Sequence, residues 1–247
     1  MRAHGQSPPE CSSDTEATPK RGSSLDVCEL IVGFALILAV IWTEQPLQRW
    51  LYYAAIGWFS LSILSPFPGW KTMGCCTSGF WRSLWVIAVA LLITVPATAI
   101  AVCLHTLHHP GGPSEWIETF GGYTIWALTQ QFLLQGYFLV RLLRVFPNPT
   151  VAAAIAAVVF AIAHLPNPIL TPITLFWGLV ACLVFMRSRN IFPLAIAHAI
   201  CGICIAVTIP ASILHNMRVG LGYITYQEPH QLHLSHAGSS ARTTQGE

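Results

Sequence analysis

Apolar residues run along this chain in long blocks, broken by short polar punctuation. About 20 apolar residues in a helix cross a bilayer core of about 30 Å. On that length the blocks near 25–42, 47–66, 83–104, 119–145, 149–165, 169–186 and 191–213 predict seven helices. The second block is short, closed by Pro66 and Pro68. The fourth carries the most polar residues, on a pattern that turns one face toward neighbouring helices rather than lipid. Pro-Asn-Pro at 147–149, Pro-Asn-Pro at 166–168 and Pro193 mark helix ends.

What lies outside the blocks is polar. Residues 1–24, rich in Ser, Pro, Thr, Gly and charge, read as a disordered leader. A secretory signal would place its apolar region nearer the start and end it in a small-residue cleavage site, so the first block reads as an uncleaved anchor. Residues 214–247 are too polar for an eighth span and form a C-terminal tail, with Met217, Leu221, Tyr223, Ile224 and Tyr226 available to fold back onto the membrane surface. The expectation is an all-α, polytopic membrane helix bundle over 25–213, with no internal repeat.

Composition agrees with the pattern. Of 247 residues, 54% are hydrophobic and 9% charged, with a mean hydropathy of +0.59, against about a quarter charged in a soluble domain. Twelve Lys and Arg against ten Asp and Glu leave a net charge of +2, which gives no footprint for nucleic acid. Where the basic residues lie says more. With the N-terminus cytoplasmic, inside segments hold Arg2, Lys20, Arg21, Lys71, Arg82, Arg141, Arg144, Arg187 and Arg189, and outside segments only Arg49, Arg218 and Arg242. That asymmetry fits the positive-inside rule for seven spans, and the expected location is a bacterial cytoplasmic membrane.

Against this apolar background, polar side chains inside the blocks stand out, because they are costly in lipid and usually face the bundle interior. The fourth block carries Gln130, Gln131 and Gln135, the fifth His164 and the seventh His198. Residues four apart share a helical face, so Gln131 and Gln135 project together with Gln130 to one side. By the same spacing the Phe160 ring should pack over the His164 imidazole. Gly136 would let a neighbouring helix approach closely, and Cys201 and Gly202 follow His198 by about one turn.

Gln130-Gln131-Phe-Leu-Leu-Gln135-Gly136, then Phe160-x3-His164-Leu-Pro-Asn167-Pro, then His198-x3-Gly202 together resemble the CPBP family of intramembrane proteases, which includes the type II CAAX prenyl endopeptidases and bacteriocin-immunity proteins. The resemblance covers about 119–213. In the family the first motif is Glu-Glu-x3-Arg and the last His is followed at four residues by Asn or Asp. Here glutamine holds all three charged positions and Gly202 the last. The resemblance implies a site of Gln130, Gln131, Gln135, His164, Asn167 and His198, and an endopeptidase acting on a membrane-embedded or lipidated protein in the lipid bilayer. In the family's mechanism Glu and His activate a water, while the other His and the Asn polarise the carbonyl. Glutamine accepts no proton near neutral pH. His164 is left as the base and His198 as the carbonyl or oxyanion donor. A non-catalytic relative that binds hydrophobic peptides or lipidated proteins is the alternative.

Single residues also have plainer readings. A membrane histidine or glutamine often only bonds neighbouring helices, for about a kcal/mol. Eight cysteines lie mostly in or beside apolar runs as small hydrophobes, with no structural disulfide read from their spacing. His198, Cys201 and His164 could be grouped as soft-metal ligands, but no metal motif supports this. No cofactor is required by any motif, and a divalent metal stays open. His105, His108 and His109, and His230, His233 and His236, read as solvated loop and tail clusters. Glu115 and Glu118 favour the start of the fourth helix and lie too far along it to replace the missing carboxylates. A small transporter is disfavoured, since no intramembrane charge pair or inverted repeat is visible.

Overall fold

A computed structural model describes residues 23–64, 67–107, 112, 114 and 117–227. The leader at 1–22, His108, His109, Glu115 and the tail histidines lie outside the described residues. Among those described, every regular element is helical. They form α1 (Ser23–Trp42), α2 (Leu47–Leu64), α3 (Trp85–Cys103), a composite α4 over 117–145, α5 (Pro149–Ile162), α6 (Leu170–Ser188) and α7 (Phe192–Thr208). Each coincides with an apolar block. Ser24–Trp42, Phe80–Cys103 and Leu170–Ser188 are long and apolar enough to cross a membrane, and Phe192–Thr208 with Ala211–Met217 makes a fourth if that pair is one span. The protein is an integral membrane protein on this evidence; α5, at 14 residues, is about 21 Å long.

Local chemistry explains the ends. Asn148 caps α5, its side-chain oxygen accepting from the backbone N–H of Thr150 at 2.9 Å, with Pro149 in the first turn. Asn190 does similar work before α7: its oxygen accepts from Phe192 N–H at 3.0 Å, and its amide donates to the carbonyls of Cys76 and Ser78 at 2.6 and 3.1 Å. That fastens the 73–79 loop under the bundle. Gly79 has a φ of 76°, and a side chain there would collide with the Ser188 carbonyl, so glycine is required on two counts.

The seventh block does not continue straight to 213. The chain breaks after Thr208 at Pro210 and turns by 116°. His215, Asn216 and Met217 then follow one another with positive φ. The segment folds back against the bundle rather than lying free: Gly220 N–H donates to the Leu165 carbonyl at 2.7 Å, and a Cβ on Gly220 would strike Ile41 of α1. The His215 ring stacks on Tyr223 with centroids 4.1 Å apart.

Lipid removes the hydrophobic drive between helices, so close approach of small residues holds them together. The α5–α6 contact is of this type. Ala152, Ala153, Ala156 and Ala181 are fully buried, and a Cβ on Gly178 would lie 3.2 Å from Ala157 Cα and from the Phe160 ring. A polar knot joins α1, α2 and α4 instead. Arg141, 2% exposed, donates to Glu29 at 2.8 Å, to the Ser62 carbonyl at 2.8 Å and to the Ser62 hydroxyl at 3.1 Å. Its guanidinium also lies over the Tyr137 ring, and Arg144 pairs with the buried Asp26 at 2.6 Å.

Candidate functional site

Helix α4 changes its winding at the site. It is α-helical over Gly122–Gln131, π-helical over Phe132–Leu139, and α-helical again over Val140–Val145. Gln131 therefore ends one winding and Gln135 sits in the other. Such π segments recur at functional sites because they re-aim side chains. The two glutamines do face together: Gln135 Nε2 donates to Gln131 Oε1 at 2.7 Å, with both side chains inaccessible to solvent. Gln130 turns aside, half-buried and without a hydrogen bond among the described residues. Gly136 admits the backbone of the 73–79 loop, with Met73 O 3.3 Å from where its Cβ would be, so a loop rather than a helix uses that gap.

The Gln131 amide lies between Gln135 and His198. With its oxygen already accepting, the amide turns its NH2 toward His198, where Nε2 lies 2.8 Å from His198 Nδ1. An amide NH2 only donates, so in this amide orientation His198 Nδ1 accepts and the neutral ring carries its proton on Nε2. His164 has the opposite assignment. It follows the last turn of α5, and its Nδ1 lies 2.7 Å from the Phe160 carbonyl, an oxygen left unpaired near a helix end. A carbonyl only accepts, so Nδ1 is protonated, and in the neutral ring Nε2 then presents a lone pair. Both rings are buried, at 8% and 7% exposure for His164 and His198. The site therefore holds two neutral imidazoles of opposite tautomer, one accepting at Nε2 and one donating there.

A single phenyl ring bridges them. Phe160 lies 4.7 Å from His164 and 6.0 Å from His198, centroid to centroid, edge-on to both rather than stacked over the first. Trp177 of α6 closes one side at 6.0 Å from His198, its buried indole N–H without a hydrogen-bond partner among the described residues. Gln135 Oε1 is likewise buried and unpartnered among the described residues.

Asn167 stands apart from the imidazoles in function. Its amide donates to the carbonyls of Leu214 and Arg218 at 3.0 and 3.1 Å, and its oxygen accepts from the N–H groups of Ile169 and Leu170. Those four bonds use the whole side chain. It caps α6 and holds the left-handed turn of the C-terminal segment beside the His164 loop.

One residue escaped the motif reading. Tyr123 lies eight residues before Gln131 on the same face of α4, with fully buried Ala127 between them. Its ring meets His198 edge-on at 6.5 Å, and its hydroxyl occupies the space a side chain on Gly202 would need. The missing side chain at Gly202 was the available signal. Among the described residues no three His, Cys, Asp or Glu side chains converge as a metal site would require. The seven described cysteines are free thiols, and Cys204 bonds weakly to Thr98 and to the Thr94 carbonyl, tying α7 to α3.

Residues 112–204, which contain every one of these site residues, match the family model described as type II CAAX prenyl endopeptidase Rce1-like. No curated protein and no solved structure matches the chain.

Proposed function

With an Rce1-like domain over residues 112–204 as the premise, we propose that this membrane protein is an intramembrane endopeptidase. It hydrolyses a peptide bond in a membrane-embedded or lipidated protein. The observation that supports the reading is the opposite tautomers of the two buried imidazoles, fixed by the Phe160 carbonyl and the Gln131 amide.

In this mechanism a water hydrogen-bonded to His164 Nε2 attacks the scissile carbonyl carbon. Its proton passes to Nε2 as the C–O bond forms, and the carbonyl electron pair moves onto oxygen. His198 Nε2–H donates to that oxyanion. Collapse of the tetrahedral intermediate breaks the C–N bond, and His164 returns the proton to the departing amine. Gln131 keeps His198 in the donating tautomer, and Gln135 holds Gln131. Asn167 supports the frame without touching the reacting atoms, and Gln130 turns aside from it. No carboxylate acts as base; His164 fills that role. The topology that goes with this reading has seven crossings, a cytoplasmic N-terminus and a bacterial inner membrane.

A second reading is a non-catalytic relative that binds hydrophobic peptides or lipidated proteins. What favours it is the uncharged relay, in which Gln135, Gln131 and His198 bond without a carboxylate to take up a proton. Purified protein incubated with membrane-bound candidate substrates separates the two. Cleavage by wild type that is lost in His164→Ala supports the endopeptidase. Cleavage found only in Gln130→Glu/Gln131→Glu supports the binder, and sinks the first reading.

A further inference from the structure

A glycine inside a membrane helix needs a reason, since it costs about 1 kcal/mol of helix propensity against alanine. At Gly202, buried in α7, the reason is visible: even a methyl group would overlap the Tyr123 hydroxyl and ring. The glycine makes room for a phenol from α4. That phenol arrives about one turn from His198 on α7, with its ring edge-on to the imidazole. Its O–H bonds to no group among the described residues, although the residue is only half-buried. The donor lies at the gap left by Gly202, about one turn along α7 from the imidazole.

We propose that Tyr123 is a second catalytic donor of this site, its phenol O–H binding the oxyanion beside His198 Nε2–H. The proposal rests on the endopeptidase reading and adds a residue to it. Two donors converging on one oxygen are what a developing oxyanion requires, and the Gln131–His198 bond supplies only one. Tyr123 gives up no proton: it donates a hydrogen bond as charge builds and relaxes when the intermediate collapses. Gly202 acts by vacancy, as a positioning residue.

The test uses the full chain in lipid-detergent micelles with a fluorescence-quenched lipidated peptide. Tyr123→Phe keeps the ring and should keep the unfolding midpoint. It should lower kcat by about 10²-fold, the usual loss for one oxyanion donor, with KM unchanged. A phosphinic peptide, which mimics the tetrahedral intermediate, should bind Tyr123→Phe more weakly by a similar factor, while an uncleaved amide peptide binds both proteins alike. Gly202→Ala, which drives the phenol out, should reproduce the fall in kcat. Wild-type kcat in Tyr123→Phe, with cleavage still abolished in His164→Ala, overturns the tyrosine alone. A wild type that cleaves no peptide overturns the tyrosine and the endopeptidase reading together.

Discussion

Replacing Gln131 by leucine removes the middle of the relay and tests whether it exists. Two hydrogen bonds go at once, the 2.7 Å bond from Gln135 and the 2.8 Å bond to His198. Polar pairs between membrane helices are worth about 0.6 kcal/mol on average and about 1.7 at most. Two such bonds put the loss between about 1 and 3 kcal/mol. The upper part of that range is expected here, because the change leaves Gln135 Nε2 and His198 Nδ1 buried without partners. Orphaned groups of this kind cost about 1–3 kcal/mol each. Tautomer exchange gives no escape: a proton moved to Nδ1 would face leucine instead of an acceptor. The assay is the unfolding midpoint of purified protein in mixed micelles for wild type, Gln131→Leu, His198→Phe and the double variant, with Gln130→Leu as control. A coupling of about 1 kcal/mol between positions 131 and 198 is expected, the usual size for residues in one network. Gln130→Leu should stay within about 0.5 kcal/mol of wild type, as surface-type changes do. Additive effects at 131 and 198, or equal losses at 130 and 131, would refute the relay.

Other perturbations have separate readouts. Arg141→Ala should cost about 3–5 kcal/mol, the range for removing one partner of a buried pair, and should loosen α1 from α4 as read by hydrogen exchange. Asn167→Ala should leave the imidazole pair in place yet raise proteolysis of 209–227, because four hydrogen bonds to that turn and to α6 are lost. Asn148→Ala should lower stability by about 1 kcal/mol, the usual value of an N-cap, with no change at the site. Nitrogen-15 spectra of the histidines should show the Nδ1–H tautomer for His164 and the Nε2–H tautomer for His198; the same tautomer at both would remove the basis for their separate roles.

Much of this architecture was readable from the order of residues, and the reasons are physical. A helix that meets lipid must be apolar for most of its length, so the seven blocks coincide with α1 to α7, and Pro149 and Asn148 announce the start of α5. The i, i+4 spacing placed Gln131 against Gln135 and Phe160 against His164. Other features depend on partners distant in the chain. The winding change at Phe132–Leu139 has no sequence signature in a run of ordinary apolar residues. Asn167 stood in a motif beside His164, but its carbonyl partners lie 47 and 51 residues away. The break after Thr208 needed more weight on Pro210. Arg141 and Arg144 were read only as topology signals and no intramembrane charge pair was expected, yet they pair with Glu29 and Asp26 of α1, since which helices pack together is not written in hydropathy.

The change of winding in α4 bears on how this chain tolerates length variation. An α-helix turns by about 100° for every residue. One residue lost between Tyr123 and Gln131 would therefore swing the phenol to another side of the helix from the relay. A π segment carries surplus residues per turn. Loss of one residue there lets the backbone relax to ordinary spacing while Gln131 and Arg141 keep their bearings, but a loss at Leu133 or Leu134 moves Gln135 off Gln131. The stretch 132–139 thus works as a phase coupling between two halves of one helix, the relay above and the ion-pair knot below. Gln135 and Tyr137, both inside the stretch, tie each half to it.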